Sequence, residues 1–184
     1  MIVRKILLVG EVGVGKTSIA RRLVFDKYGD IYAATIGVDI YRYEVLPSPG
    51  GVPFQFLVWD TDGSYGEGIF RQVYAKQAQA ALAIGDISRP STLETMFRLA
   101  ALFAETAPGR FIAHIVNKTD LADAETIAGV RARLDASKVP HAMTSAKEGT
   151  QVREAFETWV SVTAADTVQM ALEQRMGHVE PGED

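Results

Sequence analysis

The chain has 184 residues, no cysteine, 47% hydrophobic and 23% charged residues, and a formal net charge of -4. That length fits one domain with a sizeable core, and the acidic balance gives no reason to expect nucleic acid as a partner. The missing cysteine excludes disulfides, thiolate metal sites and thiol catalysis, and with them any direct prenyl or palmitoyl anchor on these residues. The opening "MIVRKILLVG" is too short in apolar residues for a secretory signal, and no stretch approaches the roughly eighteen apolar residues of a membrane span. A cytoplasmic, unanchored chain is expected.

Short apolar runs alternate with helical patterns along the sequence. A strand from Ile2 to Val9 is followed by a helix whose apolar face carries Ile19, Ala20, Leu23 and Val24. Strands two and three are expected over Asp39 to Leu46 and Phe54 to Trp59. The link "LPSPGG", Leu46 to Gly51, is too short for a helix and rich in turn formers, which makes these two strands an antiparallel edge hairpin. Next come a helix marked by Ile69, Phe70, Val73 and Tyr74, a strand over Ala80 to Asp86, and a helix marked by Leu93, Met96, Phe97 and Ala100. The fifth strand, Phe111 to Asn117, precedes a helix with Ile127, Arg131 and Leu134. The sixth strand runs roughly from Pro140 to Thr144, before a last helix with Val152, Ala155, Phe156, Trp159 and Val160. The alternation predicts an α/β fold, a six-stranded and mostly parallel sheet with one antiparallel edge hairpin and helices on both faces. One domain is expected over residues 1–176. Its helical pattern continues from Val162 to Met176 as a solvated or partner-binding extension, and the polar "GHVEPGED" of residues 177–184 should fray.

Chemistry concentrates in three places. "GEVGVGKTS", Gly10 to Ser18, matches G-x-x-x-x-G-K-[ST] between a predicted strand and a predicted helix. Gly-rich backbone and a helix N-terminus then converge on phosphates, so Gly13, Val14, Gly15, Lys16, Thr17 and Ser18 are candidate phosphate ligands. Lys16 would reach the β and γ phosphates and the Thr17 hydroxyl would bind Mg²⁺. "NKTD", Asn117 to Asp120, follows the fifth strand on the same carboxyl edge of the sheet. The Asp120 carboxylate can accept from a guanine N1–H and 2-amino group, whereas adenine presents an acceptor at N1 and repels it. Lys118 can lay its stem along the base, and Asn117 can tie this loop to the phosphate loop. "TSAK", Thr144 to Lys147, follows the sixth strand and offers Ser145, Lys147 and the Ala146 N–H, the last for the base carbonyl oxygen.

In order, "GEVGVGKTS", "ATIGVDIY", "WDTDG", "NKTD" and "TSAK" resemble the Ras superfamily of small GTPases, with a Rab-like flavour in "TIGVDIY" and "WDT". The resemblance covers roughly Ile2 to Val160 and implies a P-loop NTPase G domain that uses GTP/GDP and Mg²⁺, with two segments ordered by the γ-phosphate. Thr35 matches the residue that places its hydroxyl on Mg²⁺ and its N–H on the γ-phosphate. Tyr28 falls where an aromatic covers the guanine, and Tyr32 where a tyrosine lies over the phosphates. Asp60 matches the Mg²⁺ partner and Gly63 the γ-phosphate contact, which gives a metal set of Thr17, Thr35 and Asp60. Effector and regulatory proteins would bind through Gly37 to Tyr43 and the second switch, about Asp62 to Gln77. A monomer is expected, and the missing lipidation site with an Ala-rich composition points to a prokaryotic member.

Three positions depart from that pattern. Ser64 stands where the water-orienting Gln is usual, and its side chain ends short of a water in line with the γ-phosphorus. Val12 crowds the space into which a catalytic Gln or a partner's Arg would move, and Asp62 adds negative charge beside the γ-phosphate. Lys16, Thr35, Gly63 and Ser64 remain the candidate catalytic set, with slow hydrolysis expected. No Arg lies between Gly29 and Ile40 to act in cis; Arg42 lies too far along its strand and Arg71 belongs to the second switch. Glu67 or Asp62 could instead position the water. The competing readings are a nucleotide-stabilised scaffold without meaningful hydrolysis, and a P-loop kinase or ATPase, for which no Arg-rich lid is present.

Overall fold

A computed structural model describes residues 2–29, 35–45, 54–64, 66–157 and 159. Six strands form one sheet in the order β2-β3-β1-β4-β5-β6. They are β1 (Ile2–Val9), β2 (Val38–Val45), β3 (Phe54–Thr61), β4 (Ala80–Asp86), β5 (Phe111–Asn117) and β6 (His141–Met143). All neighbours pair in parallel except β2 and β3, whose antiparallel register runs from Val38 opposite Thr61 to Val45 opposite Phe54. The expected edge hairpin is therefore present, although "LPSPGG" itself lies outside the described residues. β3 extends two residues past the expected Trp59, because Thr61 still pairs across the hairpin and its hydroxyl donates to the Leu8 carbonyl at 2.8 Å.

Side chains alternate across the central strands and build a core on each face. Ile6 and Leu8 of β1 join Leu82 and Ile84 of β4 beneath α1 (Lys16–Phe25), which contributes Ile19, Ala20 and Leu23. Val152, Phe156 and Trp159 of a helix over residues 152–157 and 159 close that face. Leu7 and Val9 point the other way and pack against Met96 and Phe103, carried by α3 (Pro90–Thr106). That layer also holds Leu134, the one buried residue of α4 (Ala124–Ser137). Each fully buried side chain of Leu or Phe size stabilises the fold by about 2 kcal/mol, before the entropy of ordering it. The helical extension over residues 162–176 and the tail lie outside the described residues.

The segment after β3 corrects the sequence reading. A regular helix would put Ile69, Phe70, Val73 and Tyr74 on one face. Instead α2 (Glu67–Ile69) passes into a widened π-type turn, Phe70–Tyr74, and a tight turn, Ala75–Gln77. The Ala75 N–H donates to the Phe70 carbonyl, so the residues brought inward are five apart. Phe70 and Ala75 are buried, whereas Ile69 and Val73 are about half exposed. Among the described residues, no helix is long and apolar enough to cross a membrane.

His114 of β5 is buried against Phe97, their ring centroids 4.8 Å apart, and its Nδ1 has no partner. Burial, helped by the neighbouring His141, pushes its pKa down to about 4. The folded state thus holds fewer protons than the unfolded chain below pH 6.5. The His114 contribution to stability is complete above that pH, is lost as pH falls toward about 4, and amounts to no more than roughly 3 kcal/mol. Urea unfolding between pH 7.5 and 4.5 should show a stability loss that His114→Gln reduces; parallel curves for the two proteins would contradict this assignment.

Candidate guanine-nucleotide site

Five of the six strands are parallel, so the loops leaving β1, β3, β4, β5 and β6 all emerge at one edge of the sheet. The strand order reverses at β1, which has β3 on one side and β4 on the other, and the phosphate-loop motif begins at that point. An open cleft of about 400 Å³ there is lined by Lys16, Thr17, Tyr28, Thr35, Gly63 and Lys118, among others. The motifs read separately in the sequence are therefore brought to one place.

The phosphate loop turns on Gly13 and Gly15, with φ of 79° and 100°, and α1 starts directly after them. Its first N–H groups face the cleft mouth and favour an anion there. Val14 sends its side chain into the core, so only its backbone remains for phosphate. Lys16 is buried, and its Nζ donates to the carbonyls of Gly10 at 3.0 Å and Glu11 at 2.8 Å. Burial pushes its pKa down to about 8 against the pull of Asp60 and Asp62.

The three expected metal residues meet. Thr17 Oγ1 donates to Asp60 Oδ2 at 2.5 Å and lies 2.9 Å from Thr35 Oγ1, which itself donates to Asp60 Oδ2 at 3.4 Å. Burial raises the Asp60 pKa, opposed by the Thr17 hydrogen bond and the Lys16 charge. Its second oxygen, Oδ1, is buried and has no hydrogen-bond partner. Hard oxygen donors with a buried, unsatisfied carboxylate oxygen suit Mg²⁺, so the residues present fit that ion.

The base side is equally tied. Asn117 donates from Nδ2 to the Val14 carbonyl at 3.0 Å and accepts on Oδ1 from Thr144 Oγ1 at 3.2 Å and the Ala146 N–H at 3.1 Å. The expected link between the two loops is thus present, while the Ala146 N–H reaches a base only as a shared donor. Ser145 Oγ donates to Asp120 Oδ1 at 2.7 Å and Lys147 Nζ stands 4.0 Å from Asp120 Oδ2, so both orient that carboxylate. Lys118 Nζ donates to the Gly13 carbonyl at 2.8 Å and Asp86 Oδ2 at 2.7 Å, which stretches its stem along the cleft wall.

Around the hydrolytic position the structure adds detail. Asp62 is more than an extra charge. Its Oδ1 accepts from the Ser64 N–H at 2.6 Å and the Ser64 hydroxyl at 2.7 Å, bonds that hold its pKa below the usual range. Gly63 lies so close to the phosphate loop that a Cβ would stand 2.4 Å from the Val12 nitrogen, so glycine is required there. Glu67 pairs with Arg98 at 2.7 Å and Arg71 with Glu105 at 3.0 Å, both toward α3. Tyr32 lies outside the described residues.

Sequence reading missed Asp86 and Arg89. Burial alone would raise the Asp86 pKa, but hydrogen bonds from Lys118, Ser88 and Arg89 outweigh it and hold the carboxylate below its usual range. Arg89 also donates to the Val12 carbonyl at 3.0 Å. The only signal was an acid closing a strand on the ligand edge of the sheet, with a base three residues later.

A doubly wound α/β domain with a phosphate loop, a guanine-type clamp and a Thr-Thr-Asp oxygen cluster defines a small nucleotide-binding G domain. The Ras family model matches residues 5–165, and the chain belongs to that family, whose members bind GTP/GDP and hydrolyse GTP. It is similar to "Ras-related protein Rab-34" of Sus scrofa, 33% identical over 94% of this chain and 68% of the relative. It is also similar to "Ras-related protein RABF2a" of Arabidopsis thaliana, 30% identical over 83% of this chain and 76% of the relative. "Ras-related protein Rab-32" of Homo sapiens is 40% identical over 51% of this chain, a match that spans 41% of the relative's own length. These relatives are eukaryotic and lend no support to the prokaryotic source expected from composition.

Truncating Asn117 tests the joint between the loops. Asn117→Ala would leave a carbonyl, a hydroxyl and an N–H unpaired in a buried site, at a cost of roughly 3 kcal/mol. Chemical denaturation should show that loss, with faster GDP release in a fluorescent-nucleotide chase; unchanged stability and release would remove Asn117 from this role.

Proposed function

We propose that this protein is a guanine-nucleotide switch that holds GTP or GDP with Mg²⁺ and hydrolyses GTP slowly unless a partner assists. The observation that carries this reading is the meeting of Thr35, on the first switch, with Thr17 and Asp60 at one carboxylate oxygen. A segment whose hydroxyl joins the cation-binding oxygens can report the γ-phosphate, since its position depends on what occupies the cleft. Thr17, Thr35 and Asp60 would hold Mg²⁺, which when bound offsets charge on the β and γ phosphate oxygens. Lys16 supplies the neighbouring fixed cation. Its charged form, supported by Asp60 and Asp62, is the one that binds phosphate.

Hydrolysis adds water to the γ-phosphorus and releases GDP and phosphate. In this chemistry a protein contributes mainly positioning and charge stabilisation. The Ser64 hydroxyl is committed to Asp62, the Glu67 carboxylate faces Arg98, and Arg71 faces Glu105. All three side chains are engaged with other protein groups, which supports a low intrinsic rate. Effectors would read Gly37 to Tyr43 together with the second switch, where Ile40, Ile69 and Val73 are about half exposed. A cytoplasmic monomer, suggested by the composition, belongs to the same proposal.

The Asp62–Ser64 engagement also favours a second reading, a scaffold that keeps its nucleotide and never turns it over. In that case partner affinity would be indifferent to the γ-phosphate. Single-turnover hydrolysis of bound GTP at saturating Mg²⁺, with the nucleotide identified by chromatography, separates the two. Ser64→Gln should hydrolyse at least about tenfold faster than the parent. Equal rates would remove this account of Ser64, and ordinary small-GTPase turnover by the parent would overturn the slow-switch reading.

A further inference from the structure

Arg89 immediately precedes α3 and lies 77 residues from Val12 in the chain. Its Nε donates to Asp86 Oδ2 at 3.1 Å and its Nη2 to the Val12 carbonyl at 3.0 Å. The position a Cβ would take on Gly13 stands 3.6 Å from the same Nη2. The guanidinium is therefore seated against Val12 and Gly13 of the loop, whose Gly10 and Glu11 carbonyls hold Lys16. Asp86 itself is buried, and it shares Oδ2 with Lys118 at 2.7 Å. A guanidinium held at two points by a buried carboxylate and a backbone carbonyl has given up much of its rotamer freedom before any ligand arrives.

Donors remain free. Guanidinium carries five N–H groups, and Nη1 has no protein partner among the described residues. The Arg89 side chain is 42% exposed, and although Arg89 does not itself line the cleft, Val12 and Gly13 beside its guanidinium do. The Arg89 charge is also felt at Lys16, where it opposes protonation. Two cations converging on one loop repel each other, and a polyphosphate between them would relieve the repulsion.

We propose that Arg89 is a second cation of the phosphate site, supplied in cis by the residue before α3, which holds a nucleoside di- or triphosphate against the Gly13 edge of the loop. The inference rests on the guanine-nucleotide reading above and adds a residue outside the motifs that define it. The alternative is that Arg89 only braces the loop through Val12 and Asp86. An uncharged side chain that keeps an N–H donor distinguishes the two, because it can brace but cannot attract phosphate.

The experiment follows release of fluorescently labelled GDP, in Mg²⁺ buffer at several salt concentrations, from the parent, Arg89→Gln and Arg89→Lys proteins, each checked for unchanged thermal unfolding. Arg89→Gln should release GDP on the order of tenfold faster, and its release should depend less steeply on salt, since charge-assisted contacts are the strong ones and are screened. Arg89→Lys should stay within about threefold of the parent at low salt and drift away from it as salt rises. Gln and Lys variants that behave alike, or a Gln variant with parental release and salt slope, would overturn the role of Arg89 and leave the nucleotide site standing. A parent protein that retains no guanine nucleotide would overturn both readings together.

Discussion

The Asn117 carboxamide, at the end of β5, donates to the Val14 carbonyl and accepts from Thr144 and Ala146, so one buried amide fixes three loops relative to one another. No other side chain of similar size meets the same demand. A carboxylate could not donate to the Val14 carbonyl, and leucine would leave all three groups unpaired. The constraint propagates to Gly15, where a Cβ would stand 2.3 Å from Asn117 Nδ2. The candidate phosphate loop after β1 and the candidate base loops after β5 and β6 are thus tied into one unit, built on the parallel register of four neighbouring strands, β1, β4, β5 and β6.

Charge is handled differently at the centre and the rim. At the centre, burial works against both ionised groups, lowering the pKa of Lys16 and raising that of Asp60. Each then depends on the other and on donors or acceptors from the loops, a tension that a bound anion and cation would offset. At the rim, Arg98–Glu67 and Arg71–Glu105 join the second switch to α3 through exposed pairs worth under about 1 kcal/mol each. The apolar hold on that segment comes mainly from Phe70 and Ala75. The segment's polar ties to α3 are exposed and screened, so the hold on this stretch rests on few buried side chains, the kind of fastening that the proposed nucleotide-dependent surface would need.

The sheet was legible because its signal is local. β1, β4 and β5 are short, mainly apolar runs, broken only by Arg4 and Lys5 in β1 and His114 in β5 before the polar residues that close β4 and β5, and their observed ends coincide with the expected ones. The phosphate loop, "NKTD" and "TSAK" were legible because each follows such a strand, and parallel order then forces them together. The widened turn at Phe70–Tyr74 was not, because a 3.6-residue period places Ile69 and Val73 inward and only tertiary packing selects the five-residue spacing of Phe70 and Ala75. Asp86 and Arg89 were missed for another reason. The acid meets Lys118 across 32 residues and the base meets Val12 across 77, and the Val12 partner is a backbone carbonyl that no sequence pattern records.

Asp62 shows how a substitution can act on several groups at once. In isolation it places a negative charge beside the γ-phosphate. In the fold its Oδ1 takes two donors from Ser64, so the group that replaces the usual glutamine is turned toward the chain itself. Its charge still favours the protonated form of Lys16, which burial disfavours. One residue therefore engages the Ser64 side chain while supporting the charged form of Lys16. The slow hydrolysis and nucleotide retention proposed above would then share a physical origin, and Val12 fits the same arrangement, with its side chain half exposed at the cleft and its carbonyl held by Arg89.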